Sequence, residues 1–263
     1  MKVTIIGAGN MGGALIKGWA KAAAEGLDVE LTITARTQAT LDRFLQDYPN
    51  LHTSLDNAKA VVGADVVVLA VKPWLIGAVI EEIRQSLDLT RQIVVSVAAN
   101  ILTSDLRTML HAPSADVVYA MPNIAAEFVQ SMTFMAAAEG VTAEKTKLVE
   151  RLFAAVGAVR VCEERLIAAG MMMAGCGIAY VMRFVRAMME GGVEMGFYPK
   201  DAQQIAMQTM QGAVTLLEQT GLHPEVAIDK VTTPGGVTIK GLNELNHAGF
   251  NSAVIRCLKA GLK

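Results

Sequence analysis

The chain has 263 residues, 52% of them hydrophobic and 18% charged, with a net charge of −2. That balance is too apolar for disorder, and the absence of a basic stripe argues against nucleic acid as a partner. At this length one core gives way to two, so two domains are expected, and the odd cysteine count (Cys162, Cys176, Cys257, no CxxC pair) points to a reducing, cytoplasmic setting.

The N-terminal part alternates. Val3–Ile6 reads as a strand, followed by glycines and a helical pattern over Gly12–Ala24. A strand at Leu31–Ala35 and a helix at Gln38–Asp47 come next. Then follow a strand at Val66–Val71, a helix at Leu75–Ser86, a strand at Ile93–Ala98 and a short helix at Ser104–Leu110. Val117–Met121 and Met132–Ala136 read as further strands. Strands alternating with helices predict an α/β fold with a mostly parallel sheet covered on both faces.

Beyond Cys162 the β-branched runs give way to Ala, Met, Gly and Leu at helical spacing. Glu163–Met195 is expected to form one helix or two. Pro199 suits the first turn of a helix reaching Thr220, and Gly235–Ala248 and Asn251–Leu262 suggest two more. These readings place a domain boundary near residue 161: domain 1–161 binds a dinucleotide and domain 162–263 is all-helical. Leu166–Met182 approaches the lower length limit of a membrane span. Its glycines and flanking Arg165 and Arg183 favour a helix buried against another subunit, so no membrane partner is expected. The methionine cluster Met171, Met172, Met173, Met182, Met188, Met189 and Met195 fits the same interface, because methionine fills irregular gaps.

Gly7-Ala8-Gly9-Asn10-Met11-Gly12 is a G-x-G-x-x-G run that follows a strand and opens a helix. In that context Gly7 permits a tight turn, Gly9 lets the backbone approach a pyrophosphate, and Gly12 lets helix and strand pack closely. The helix start offers free amides to the phosphates. The second strand ends Thr34-Ala35-Arg36-Thr37, with no acid to meet a ribose hydroxyl. Arg36 and Thr37 suit a 2′-phosphate, so NADP is preferred, with NAD left open as a second cofactor. Ala70, Val71, Lys72 and Pro73 close a strand at the edge where ligands bind, and Ala98 ends the next strand with room for a nicotinamide ring. The histidines His52, His111, His223 and His247 lack ligand spacing, so no metal is expected.

These residues carry a resemblance. GAGNMG at 7–12, AVKP at 70–73, MPN at 121–123, EGGVEMG at 190–196 and TTPGGVTI at 232–239 together resemble pyrroline-5-carboxylate reductases over nearly the whole chain. The resemblance implies a Rossmann-type N-terminal domain and a helical C-terminal domain that forms a homodimer, often within a larger ring. It implies reduction of a small cyclic imine carboxylate to L-proline by NADPH. It also implies that Asn57 lies near the cofactor ribose and that Thr238 contacts the substrate near its ring nitrogen. Amides of Gly236, Val237 and Thr238 at a helix start suit the substrate carboxylate. No His, Asp or Glu stands out as a general acid.

The chain also departs from the family. Met173-Ala174-Gly175-Cys176-Gly177-Ile178-Ala179-Tyr180 stands where the family has Leu-Ser-Gly-Ser-Gly-Pro-Ala-Tyr. Ile124-Ala125 replaces Thr-Pro, and Asn100 stands where glycine is common. Two alternatives remain beside the main reading: a reductase of a related cyclic imine or keto acid, and a non-catalytic NADP-binding sensor.

Overall fold

The computed structural model describes Met1–Leu262. Its elements run in chain order as β1 (Lys2–Ile6), α1 (Asn10–Ala24), β2 (Glu30–Thr34), α2 (Gln38–Asp47), β3 (His52–Ser54), α3 (Asn57–Ala60), β4 (Val66–Leu69) and α4 (Ile76–Ile83). There follow β5 (Ile93–Ser96), α5 (Thr103–Met109), β6 (Val117–Met121), β7 (Ser131–Ala137), α6 (Ala143–Ala154) and β8 (Gly157–Val161). The rest is helical: α7 (Ile167–Gly170), α8 (Gly177–Glu194), α9 (Pro199–Thr220), α10 (Pro224–Lys230), α11 (Val237–His247) and α12 (Phe250–Ala260).

The strands form one eight-stranded sheet in the order β3-β2-β1-β4-β5-β6-β7-β8. All neighbours pair in parallel except β6 and β7, which are antiparallel. The order reverses between β1 and β4, and there Ile6 lies beside both Thr34 and Leu69.

Strict alternation along the central strands builds two cores. Val3, Ile5, Val66 and Val68 face one layer, packing on Leu15, Ile16 and Trp19 of α1 and on Val149, Leu152 and Phe153 of α6. Ile6, Val67 and Leu69 face the other, against Ile76, Ile80 and Ile83 of α4 and Leu106 of α5. Both faces are covered, so β4 is apolar at every position, as a doubly wound parallel sheet requires. Trp19 locks the first layer: its indole donates to the Leu152 carbonyl at 2.7 Å and meets Phe153 edge-to-face at 5.3 Å.

The chain divides into two compact units, Met1–Gly175 and Cys176 onward. The expected boundary at residue 161 coincides with the end of β8. The segment after it belongs to the first unit, because Ile167 and Met171 pack with Tyr119, Met121 and Phe134 of β6 and β7. Of the one or two helices expected over Glu163–Met195, the structure forms two, α7 and α8, separated by a π turn at Met171–Gly175. In the second unit α8 and α9 form a close pair. A Cβ at Gly192 would lie 3.0 Å from the Ala202 Cβ, so the glycine lets the helices approach. Gly196, at φ +103°, turns the chain between them.

Candidate functional site

The sequence-predicted cofactor residues of the first unit gather at the carboxyl ends of the parallel strands, on either side of the switch point. Gly7 adopts φ +101°, and a Cβ there would lie 2.8 Å from Val71 Cγ1 and 2.9 Å from the Ala70 carbonyl oxygen. Its amide donates to the Thr34 carbonyl at 3.2 Å, tying the turn to the end of β2. A Cβ at Gly12 would collide with the Gly7 carbonyl, so the third glycine is required by the turn's own backbone. Gly9 differs, since a Cβ there meets nothing within 4 Å. Gly9 borders open space, where a ligand backbone can approach.

Helix α1 starts at Asn10, two residues before the expected start at Gly12, with Gly9 as its N-cap. Asn10 and Met11 therefore belong to its first turn. That turn has no acidic residue and no side-chain cap, so its amides stay available to an anion. The bare helix start, the open Gly9 and the tight Gly7 turn fit a dinucleotide pyrophosphate.

Around this loop the other predicted residues fall as follows. Arg36 and Thr37 follow β2 and are exposed. Thr37 is the N-cap of α2, and its hydroxyl lies 2.9 Å from that of Thr40. β4 ends at Leu69, earlier than the expected Val71, because Lys72 and Pro73 turn into a short 3-10 helix at Pro73–Leu75. Ala70 and Val71 remain against the Gly7 turn, and Lys72 is exposed. Asn57 opens α3, and Asp56 caps it, accepting from the Lys59 amide, which holds the Asp56 carboxyl below the usual range. The Asn57 amide donates instead to Glu82 at 2.9 Å. Ala98 is buried after β5, its amide donating to Ser96 Oγ.

A cleft of 580 Å³ opens along α1 from the glycine turn. Gly9, Asn10, Gly13 and Lys17 line its floor, Arg43 and Phe44 of α2 one wall, and Ile124 and Glu127 the other. Lys17 donates to Glu127 at 2.9 Å, and that bond holds its ammonium above the usual lysine range. Nothing in the spacing of these wall residues marks them in the sequence as lining a cleft.

In the second unit, Thr233-Pro234-Gly235-Gly236 forms a turn with Gly235 at φ +71°. Gly236 is the N-cap of α11, which has neither a side-chain cap nor an acid in its first turn. Val237 and Thr238 occupy that turn and are exposed. The helix expected to begin at Gly235 thus begins two residues later, at Val237.

MPN acquires a structural role. Asn123 is buried; its side chain accepts from the Ala125 amide at 3.0 Å and donates to the Ala174 carbonyl in the π turn at 3.3 Å. Asn100, in the place of a common glycine, adopts φ +60°, which explains why glycine suits the position and why asparagine is tolerated.

A family model described as pyrroline-5-carboxylate reductase dimerisation matches residues 164–263, and one described as NADP oxidoreductase, coenzyme F420-dependent, matches residues 2–100. The pyrroline-5-carboxylate reductase of Methanosarcina acetivorans is 34% identical over 262 residues, covering 97% of this chain and 94% of that protein. Pyrroline-5-carboxylate reductase 1 of Dictyostelium discoideum is 35% identical, and there the chain spans about half of the relative, 47%. A solved reductase from Coxiella burnetii superposes with a TM-score of 0.89 at 31% identity, covering 98% and 95% of the two chains. A Plasmodium falciparum pyrroline carboxylate reductase with NADP bound shares the fold, with a TM-score of 0.88 at 23% identity and coverage of 99% and 95%. With both units matched and the glycine turn formed at the switch point, the chain belongs to the pyrroline-5-carboxylate reductase family.

Proposed function

We infer that the protein reduces 1-pyrroline-5-carboxylate to L-proline, the last step of proline synthesis, with NADPH as donor. The observation that carries this reading is the near full-length likeness to reductases of that name, across both compact units. Bound NADPH supplies the hydride. Gly7, Gly9, Asn10, Met11 and Gly12 hold its pyrophosphate against the start of α1. Arg36 and Thr37 take the 2′-phosphate, and Asn57 takes the ribose. Ala70, Val71, Lys72, Pro73 and Ala98 frame the nicotinamide half.

Gly236, Val237 and Thr238 receive the substrate. The free amides of α11 hold its carboxylate, and the Thr238 hydroxyl orients the ring nitrogen. A free hydroxyl is a poor acid, so Thr238 positions the nitrogen and a water relays the proton. Holding the reactants in register is the main source of rate. The protein works in the cytoplasm as a homodimer through the helices of its second unit, or as a ring of such dimers, without nucleic acid or membrane as partner. Its three free cysteines agree with a reducing compartment.

The test is NADPH oxidation by the purified protein with 1-pyrroline-5-carboxylate, beside a Thr238→Ala variant. Turnover is expected, with a fall of roughly 100-fold in kcat/KM in the variant, or about 2.7 kcal/mol of lost orientation. Tight NADPH binding with no turnover would sink the substrate assignment. A related imine accommodated by the altered stretch Met173–Tyr180 would then be the next substrate to try.

A further inference from the structure

The segment leaving β5 toward α5 is pinned at several points. Val97 donates to the Leu69 carbonyl at 3.2 Å, and Ala98 donates to Ser96 Oγ at 3.2 Å. At its far end Thr103 donates through both its amide (2.7 Å) and its hydroxyl (3.1 Å) to the Glu164 carboxylate. Between these lies Asn100 at φ +60°, a conformation that costs asparagine more than glycine and that a backbone hydrogen bond would steady. The holding group is Tyr119, whose Oη accepts the Asn100 amide at 3.0 Å.

Tyr119 is 3% exposed and belongs to a small apolar cluster with Met121, Ala136 and Ile167, against which Ala99 and Met171 pack. Its hydroxyl is unnecessary for filling that cluster, because a phenylalanine has nearly the same shape. A buried hydroxyl carries a desolvation cost, and the polar contact that offsets it is the Asn100 amide. Ser96, the register partner of Tyr119 on β5, lies at the base of the same segment. The phenol of one strand thus reaches along the sheet edge to fix the backbone that follows its neighbour.

We propose that Tyr119 is a positioning residue for the nicotinamide half of the cofactor, acting by holding Asn100 and the Ala98–Asn100 strand end in the shape that receives the ring. The proposal rests on the placement of the nicotinamide at Ala98. The adenosine half is held elsewhere, at the glycine turn and Arg36, so the two halves of the ligand report separately on this edge.

The experiment is calorimetric titration of the full-length protein and Tyr119→Phe with NADPH and with 2′-phospho-ADP-ribose, which lacks the nicotinamide. Loss of one hydrogen bond predicts a Kd for NADPH raised about three- to tenfold in the variant, with that for 2′-phospho-ADP-ribose unchanged. Adding Asn100→Gly is expected to recover most of the loss, since glycine holds a positive φ without help. If Tyr119→Phe fails to fold, Asn100→Ala tests the same strand end and is expected to show the same selective loss. Equal weakening of both ligands, no weakening of either, or no recovery with Asn100→Gly overturns the proposal. Ala98→Val separates the two levels of failure. If it weakens NADPH while Tyr119→Phe does not, only the role of Tyr119 falls. If neither variant changes NADPH binding, the nicotinamide placement falls with it.

Discussion

Under the proposed function, the choice between two cofactors that differ by one phosphate falls to Arg36. It follows β2 at the point where relatives of this architecture that use NAD present an acid to the ribose hydroxyls. Here no acid follows the strand, and the guanidinium is exposed and has no ion-pair partner among the described residues. A dianionic phosphate would gain charge-assisted hydrogen bonds from it, and a ribose hydroxyl would gain little. Arg36→Ala is therefore expected to raise KM for NADPH roughly 10- to 100-fold, corresponding to about 1.5–3 kcal/mol of charge-assisted bonding, while leaving KM for NADH nearly unchanged. Steady-state kinetics with both donors check it. An equal rise for both would remove Arg36 from phosphate recognition.

At the scale of elements, α1 opens at the glycine turn, and one small residue lets it pack closely on its neighbours. Gly18 faces the turn Ile124–Phe128, where a Cβ would strike the Ala126 carbonyl and lie 2.7 Å from Val156 Cγ1. Lys17 and Lys21 on the same helix bond to the Glu127 carboxylate and carbonyl. In an exposed helix, Gly→Ala gains up to about 1 kcal/mol. Here the sign reverses: Gly18→Ala is expected to destabilise by roughly 1–3 kcal/mol through overpacking against backbone that cannot yield. Chemical denaturation with an unchanged m-value checks it. A stabilised variant would mean that α1 shifts freely.

This scale also explains what was legible in the sequence. Gln38–Asp47, Val117–Met121 and Pro199–Thr220 read correctly to the residue, because caps and continuous apolar runs mark their ends. β3 has no signal in the sequence, because His-Thr-Ser has no apolar run and exists as a strand through pairing with β2. β8 is a half-exposed edge strand, which weakens its hydrophobic signal. Helix α6 carries a clear sequence signal, with Thr142 as cap and Val149, Leu152 and Phe153 on one face. The glycine turn was readable because its backbone demands act on neighbouring residues. The Tyr119–Asn100 and Glu164–Thr103 contacts were not, since their partners stand 19 and 61 residues apart and only the sheet brings them together.

For the whole molecule, the second unit is incomplete as a single chain. Among its described residues the buried apolar side chains are few, Ala202 and Ala206, while Met182, Val214 and Ile255 remain about half exposed. The helical stretch Glu164–Glu194 is long and apolar enough to cross a membrane, yet it falls within a region matched by a dimerisation family. A second copy covering these faces accounts for both facts, because apolar surface of this extent calls for a partner. Met182→Asp and Ile255→Asp are each expected to shift the protein to monomer at micromolar concentration in sedimentation velocity without detergent. The wild type is expected to melt higher as its concentration rises, since assembly stabilises the folded state by mass action. Activity should fall in step with the dimer fraction if the substrate helix start depends on the assembled unit. Variants that stay dimeric with a wild-type Tm would move the interface to another face of the unit. Wild-type protein that sediments only with detergent or lipid would assign the apolar stretch to a membrane.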